Sequence, residues 1–60
     1  MKTYEINGRF FTIGQKITIQ YFDETVKGTL LSVTESKKDW FLSIKTGKAT
    51  KLVQIYKSRL

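Results

Sequence analysis

The chain has no histidine and no cysteine, which removes most of the residues that carry chemistry in small proteins. A Ser–His or Cys–His nucleophile pair cannot be built. A zinc site with thiolate or imidazole ligands cannot be built either. General acid–base work would fall to carboxylates, Lys or Tyr. The adjacent acid pair, Asp23-Glu24, sits in a turn-like stretch and reads as solvated. Gly8, Gly14, Gly28 and Gly47 are scattered, so no glycine-rich phosphate loop exists. These absences point to a binding protein, not an enzyme, with no cofactor and no metal.

What remains is charge with aromatics. The 60 residues hold 11 Lys and Arg against 5 Asp and Glu, a formal charge of +6. The excess is uneven. Residues 1–39 carry Lys2, Arg9, Lys16, Lys27, Lys37 and Lys38 together with every acid of the chain. Residues 40–60 carry Lys45, Lys48, Lys51, Lys57 and Arg59 with no acid. A one-signed surface attracts polyanions: nucleic acid, an acidic protein or an anionic membrane. Solubility alone also favours a net charge of this size, and lysines on strand edges block edge-to-edge aggregation.

Aromatic residues lie among these charges. Single-strand binders pair a basic groove with aromatic platforms for the bases. Phe10-Phe11 and Trp40-Phe41 are adjacent pairs, and successive strand side chains alternate between faces. One ring of each pair must therefore leave the core. With Trp40, Leu42 and Ile44 assigned inward, Phe41 faces out beside Lys45. With Val53 and Ile55 inward, Tyr56 faces out. Phe22 continues the polar face of the strand before it. The candidate nucleic-acid-binding residues are thus Lys45, Lys48, Lys51, Lys57, Arg59, Phe41, Tyr56 and Phe22, though capping a barrel end is the ordinary role for such rings.

The elements that must position them read as strands. Six Ile, three Val and eight Thr accompany a single Ala, a composition suited to a pleated, half-buried surface. Lys16–Tyr21 alternates, with Ile17, Ile19 and Tyr21 on one face. Asn7-Gly8 between two short runs signals a type I′ hairpin. Gly14 bends the chain into the strand at 16–22, and Asp23-Glu24-Thr25 closes a second hairpin to Val26–Thr34. Gly28 inside that run marks a bulge or a close backbone approach. A polar loop at 35–39 precedes Trp40–Lys45, and Thr46-Gly47-Lys48 turns the chain into Ala49–Tyr56. Val53–Leu60 reads either as a final strand or as a short terminal helix. The expectation is a single all-β domain over residues 1–60: a small five- to six-stranded antiparallel barrel, with that C-terminal helix as the variant ending. No apolar leader follows Met1, and the longest apolar run is Trp40-Phe41-Leu42, far below the ~20 residues that span a bilayer. A soluble cytoplasmic protein without a membrane partner is expected.

The stretch Gly14–Tyr21 followed by Val26–Val33 resembles SH3-like and Sm-like small barrels: an alternating strand, an acidic turn, then a bent strand with an early Gly. The resemblance covers about residues 14–45, and YolD-like bacterial proteins share the outline. It implies an SH3-like barrel. RNA-binding residues and ring assembly do not carry over, because the chain opens with a hairpin in place of a helix and Ala49–Tyr56 has no Gly. Small chromatin proteins and phage or plasmid accessory proteins have a similar overall type. Two functions stand: a DNA- or RNA-binding module, or a protein-interaction module acting as adaptor or inhibitor of a larger nucleic-acid enzyme and encoded by a phage or mobile element. Open strand edges allow a homodimer under either.

Overall fold

The computed structural model describes residues 2–57. Six antiparallel strands follow in chain order: β1 (Thr3–Ile6), β2 (Arg9–Thr12), β3 (Lys16–Tyr21), β4 (Glu24–Glu35), β5 (Asp39–Thr46) and β6 (Ala49–Tyr56). They form a two-stranded sheet, β1-β2, and a four-stranded sheet in the order β3-β4-β5-β6. The protein is all-β, and among the described residues there is no helix and no closed barrel. β6 is strand to Tyr56. Residues 58–60, the end of the stretch read as strand or helix, lie outside the described residues.

The turns follow from backbone chemistry. Asn7 and Gly8 both have positive φ, +50° and +85°, as a type I′ turn requires. Gly14 also has positive φ, and its N–H donates to the Leu30 carbonyl at 2.8 Å. The β5–β6 turn has positive φ at Gly47, its first central residue, the position where a type II′ turn takes Gly. The β3–β4 turn differs from the sequence expectation. Tyr21 pairs with Glu24, so Phe22 and Asp23 form the turn and Glu24 already belongs to β4. Phe22 takes positive φ there, +55°.

One apolar core joins the two sheets. Ile6 and Phe11 come from the hairpin, and Ile17, Ile19, Val26, Leu30, Leu42, Ile44 and Val53 from the inner face of the larger sheet. Trp40 is half-buried beside it, edge-on to Tyr4 with ring centroids 6.3 Å apart. Edge strands β3 and β6 both feed this core, so the sheet curls around the hairpin. The hairpin's turn ties both edges. Asn7 Nδ2 donates to the Tyr56 carbonyl at 2.8 Å, and Arg9 Nη2 to the Thr18 carbonyl at 2.8 Å. In a flat sheet those carbonyls would lie about 30 Å apart, beyond the reach of one turn.

Gly28 locates the sharpest part of the curl. It pairs with buried Ile17, so a side chain here would point inward. A Cβ would meet the Lys45 carbonyl oxygen at 2.1 Å and Ile44 Cγ2 at 2.8 Å. The end of β5 thus approaches the inner side of β4 closely at Gly28; of the two sequence readings, a bulge or a close approach, the second applies here, and the bulge lies further on. A bulge at Leu31 then shifts the β4–β5 register and leaves that side chain largely exposed.

Candidate nucleic-acid interface

Pairing register decides which polar side chains share the outer face. Lys16 lies opposite Thr29, Thr29 opposite Lys45, and Lys45 opposite Thr50. Residues directly opposite in an antiparallel pair project to the same face. A Lys–Thr–Lys–Thr row therefore crosses all four strands, with about 4.8 Å between neighbours. The next row holds Thr18 opposite Lys27. Lys16, Thr18, Lys27, Thr29 and Lys45 line an open depression of about 460 Å³, with Gly47 at its rim.

None of these three lysines has an ion pair among the described residues. The two ion pairs among the described residues are Lys51–Glu24 and Lys57–Glu35. Acids are scarce on the outer face as well. By pairing and alternation, Asp39 is the one acid among its strand positions. Its carboxylate accepts from Ser36 Oγ at 2.6 Å and Gln54 Nε2 at 2.5 Å. Those hydrogen bonds, Ser36 first, hold it below the ordinary aspartate value of 3.8, with Lys57 and Lys38 contributing and burial opposing. Both oxygens of Asp39 are thus engaged within its own corner of the sheet.

The candidate residues from sequence divide between two faces. Lys45 stands in the outer row, and Lys48 is exposed in the turn beside Gly47. Lys51 lies opposite buried Ile44, so it faces the inner side, where it bonds to Glu24. Lys57 donates to Glu35 at 2.7 Å and sits 5.4 Å from the Trp40 ring centroid. Arg59 lies outside the described residues. Among the rings, Tyr56 and Phe22 are exposed, at 67% and 80%. Phe41 is half-buried on the outer face, opposite Thr34 and Gln54.

Two lysines of the depression, Lys16 and Lys27, come from the stretch whose summed charge is nearly balanced. Its acids Glu24 and Glu35 are held by Lys51 and Lys57 from the basic third. Long-range pairing within the chain therefore redistributes the charges: the C-terminal third loses two cations to ion pairs, and residues 1–39 contribute Lys16 and Lys27 to the depression. The sequence signal for Lys16 was its place on the polar face of an alternating strand. Phe10, largely exposed on β2 opposite Glu5, is a further ring outside the candidate set.

No protein-family pattern, curated protein or solved structure matches the chain. Among the described residues no group of acids could hold a metal ion. No helix there is long and apolar enough to cross a membrane.

Proposed function

We propose that the protein is a non-enzymatic nucleic-acid-binding module. Its phosphate-contacting surface is the outer face of the four-stranded sheet, on a small SH3-like scaffold. The carrying observation is the convergence of Lys16, Lys27 and Lys45, from three adjacent strands, on one depression with threonine hydroxyls between them. Ammonium groups supply charge to phosphate oxygens, and hydroxyls supply further donors. Lys48 extends the surface at the β5–β6 turn, and Phe22, Phe41 and Tyr56 offer rings at its ends. Titration of labelled DNA and RNA at several salt concentrations tests this reading. Binding that weakens steeply with salt supports it, and no binding at low salt removes it.

A second reading has its own support. β6 is an edge strand of eight residues with Leu52 and Tyr56 exposed. Such an edge can accept a strand from a partner protein or from a second copy. Retention of one defined protein from a nuclease-treated lysate, abolished by a Pro at an outward-pointing N–H of β6, would favour an adaptor or inhibitor role.

A further inference from the structure

We infer that the nucleic acid taken by this face is single-stranded, and that Phe22 is the ring on which one of its bases stacks. The inference rests on the nucleic-acid reading above and names the form of the ligand.

The shape of the face comes first. The sheet folds inward at Gly28, next to the Lys16–Thr29–Lys45 row, and Lys16, Lys27 and Lys45 line one open depression. The folded chain measures 36 Å in its longest direction. Duplex DNA is stiff over about 500 Å, and bending it over a span this short carries an elastic cost that a single strand does not bear. A single strand is flexible enough to track from Lys27 over Lys16 and Lys45.

Phe22 supplies the second observation. It occupies the tip of the β3–β4 hairpin, beyond the Gln20–Thr25 and Thr18–Lys27 pairs of the same two strands. Its ring is 80% exposed, and its φ is +55°, in the left-handed region that disfavours bulky residues. Folding alone would place Gly or Asn here. Tyr21 packs against the ring at 4.6 Å between centroids, edge to face, so the ring is propped as well as displayed. Asp23 beside it repels phosphate, which leaves stacking on the ring as the contact that a polynucleotide can make at this tip. Unpaired bases present their π faces, whereas duplex bases are occupied in their own stack.

The test uses fluorescence anisotropy with labelled oligonucleotides of about 12 nucleotides: single-stranded DNA, single-stranded RNA and the matching DNA duplex, with inorganic polyphosphate as a base-free competitor. The full chain is compared with Phe22→Ala, Phe22→Tyr and Phe22→Gly. Expected are at least tenfold tighter binding of one or both single strands than of duplex, and about tenfold loss for Phe22→Ala. Phe22→Tyr restores binding. Phe22→Gly folds at least as stably as the parent yet binds as weakly as Phe22→Ala, and polyphosphate competes for all four proteins alike. Duplex binding as tight as single-strand binding, or full affinity in Phe22→Ala, overturns the inference while leaving the nucleic-acid reading intact. Binding to none of the three nucleic acids at low salt removes the reading itself.

Discussion

Changing Lys16, Lys27 and Lys45 together to Gln tests which lysines form the interface. The three stand on adjacent strands, outside any ion pair among the described residues, and line the same depression. With Lys48 in the adjoining β5–β6 turn, about four phosphates can be neutralised. Each contributes about 0.7 to the log–log salt slope on a single strand, giving a parent slope of about −2.8. Between 50 and 200 mM salt the parent should lose about 50-fold in affinity. With Lys48 alone remaining, the slope falls to about −0.7 and the same change costs about threefold. The fold should persist, because surface substitutions of this kind stay within about 0.5 kcal/mol. The matched control is Lys51→Gln with Lys57→Gln, which removes two charges already engaged by Glu24 and Glu35. Anisotropy titrations across salt read both slopes. An unchanged slope in the triple variant, or a larger loss in the double variant, would refute the assignment of the outer face.

Three further outcomes test the scaffold. Gly28→Ala forces a Cβ to within 2.1 Å of the Lys45 carbonyl oxygen; a loss at or above the upper end of the 1–3 kcal/mol typical of about one excess core methyl is expected in urea unfolding followed by Trp40 fluorescence. Leu42→Ala empties a fully buried position and should cost about 2–5 kcal/mol by thermal denaturation, much of the roughly 3–9 kcal/mol expected for a domain of this size. Asp39 has a lowered folded-state value, so its stabilising contribution is complete at neutral pH. That contribution declines as pH falls from 3.8 towards the folded-state value. Asp39→Asn should be less stable than the parent at pH 7 and show a shallower loss of stability across that acid window, measured by urea midpoints at successive pH values.

Local signals in the sequence carried most of the strand plan. Asn7-Gly8 demands a two-residue turn, Lys16–Tyr21 alternates without a break, and Gly28 marks a close approach that its missing Cβ makes possible. The β3–β4 turn was displaced because Phe22 adopts a conformation its side chain disfavours, and no propensity argument selects such a residue for the turn. Grouping the charges along the chain hid the interface. Lys27 joins Lys16 through the β3–β4 hairpin, but Lys45 joins them only through the β4–β5 pairing, whose register shifts at the Leu31 bulge. Lys45 and Lys51, neighbours in the basic third, end on opposite faces because Lys45 pairs with Thr50 and Lys51 with Ile44. Burial on both sides of the crease fixes this arrangement, and periodicity within any single strand does not contain it.

The most direct measurement is an amide chemical-shift titration of the isotope-labelled chain with a short single-stranded oligonucleotide at low salt. Shifts concentrated at Lys16, Thr18, Lys27, Thr29 and Lys45, with Phe22 at one end, are expected. Shifts confined to Lys51, Lys57 and the inner rim, or no shifts at all, would contradict the outer face as the nucleic-acid interface.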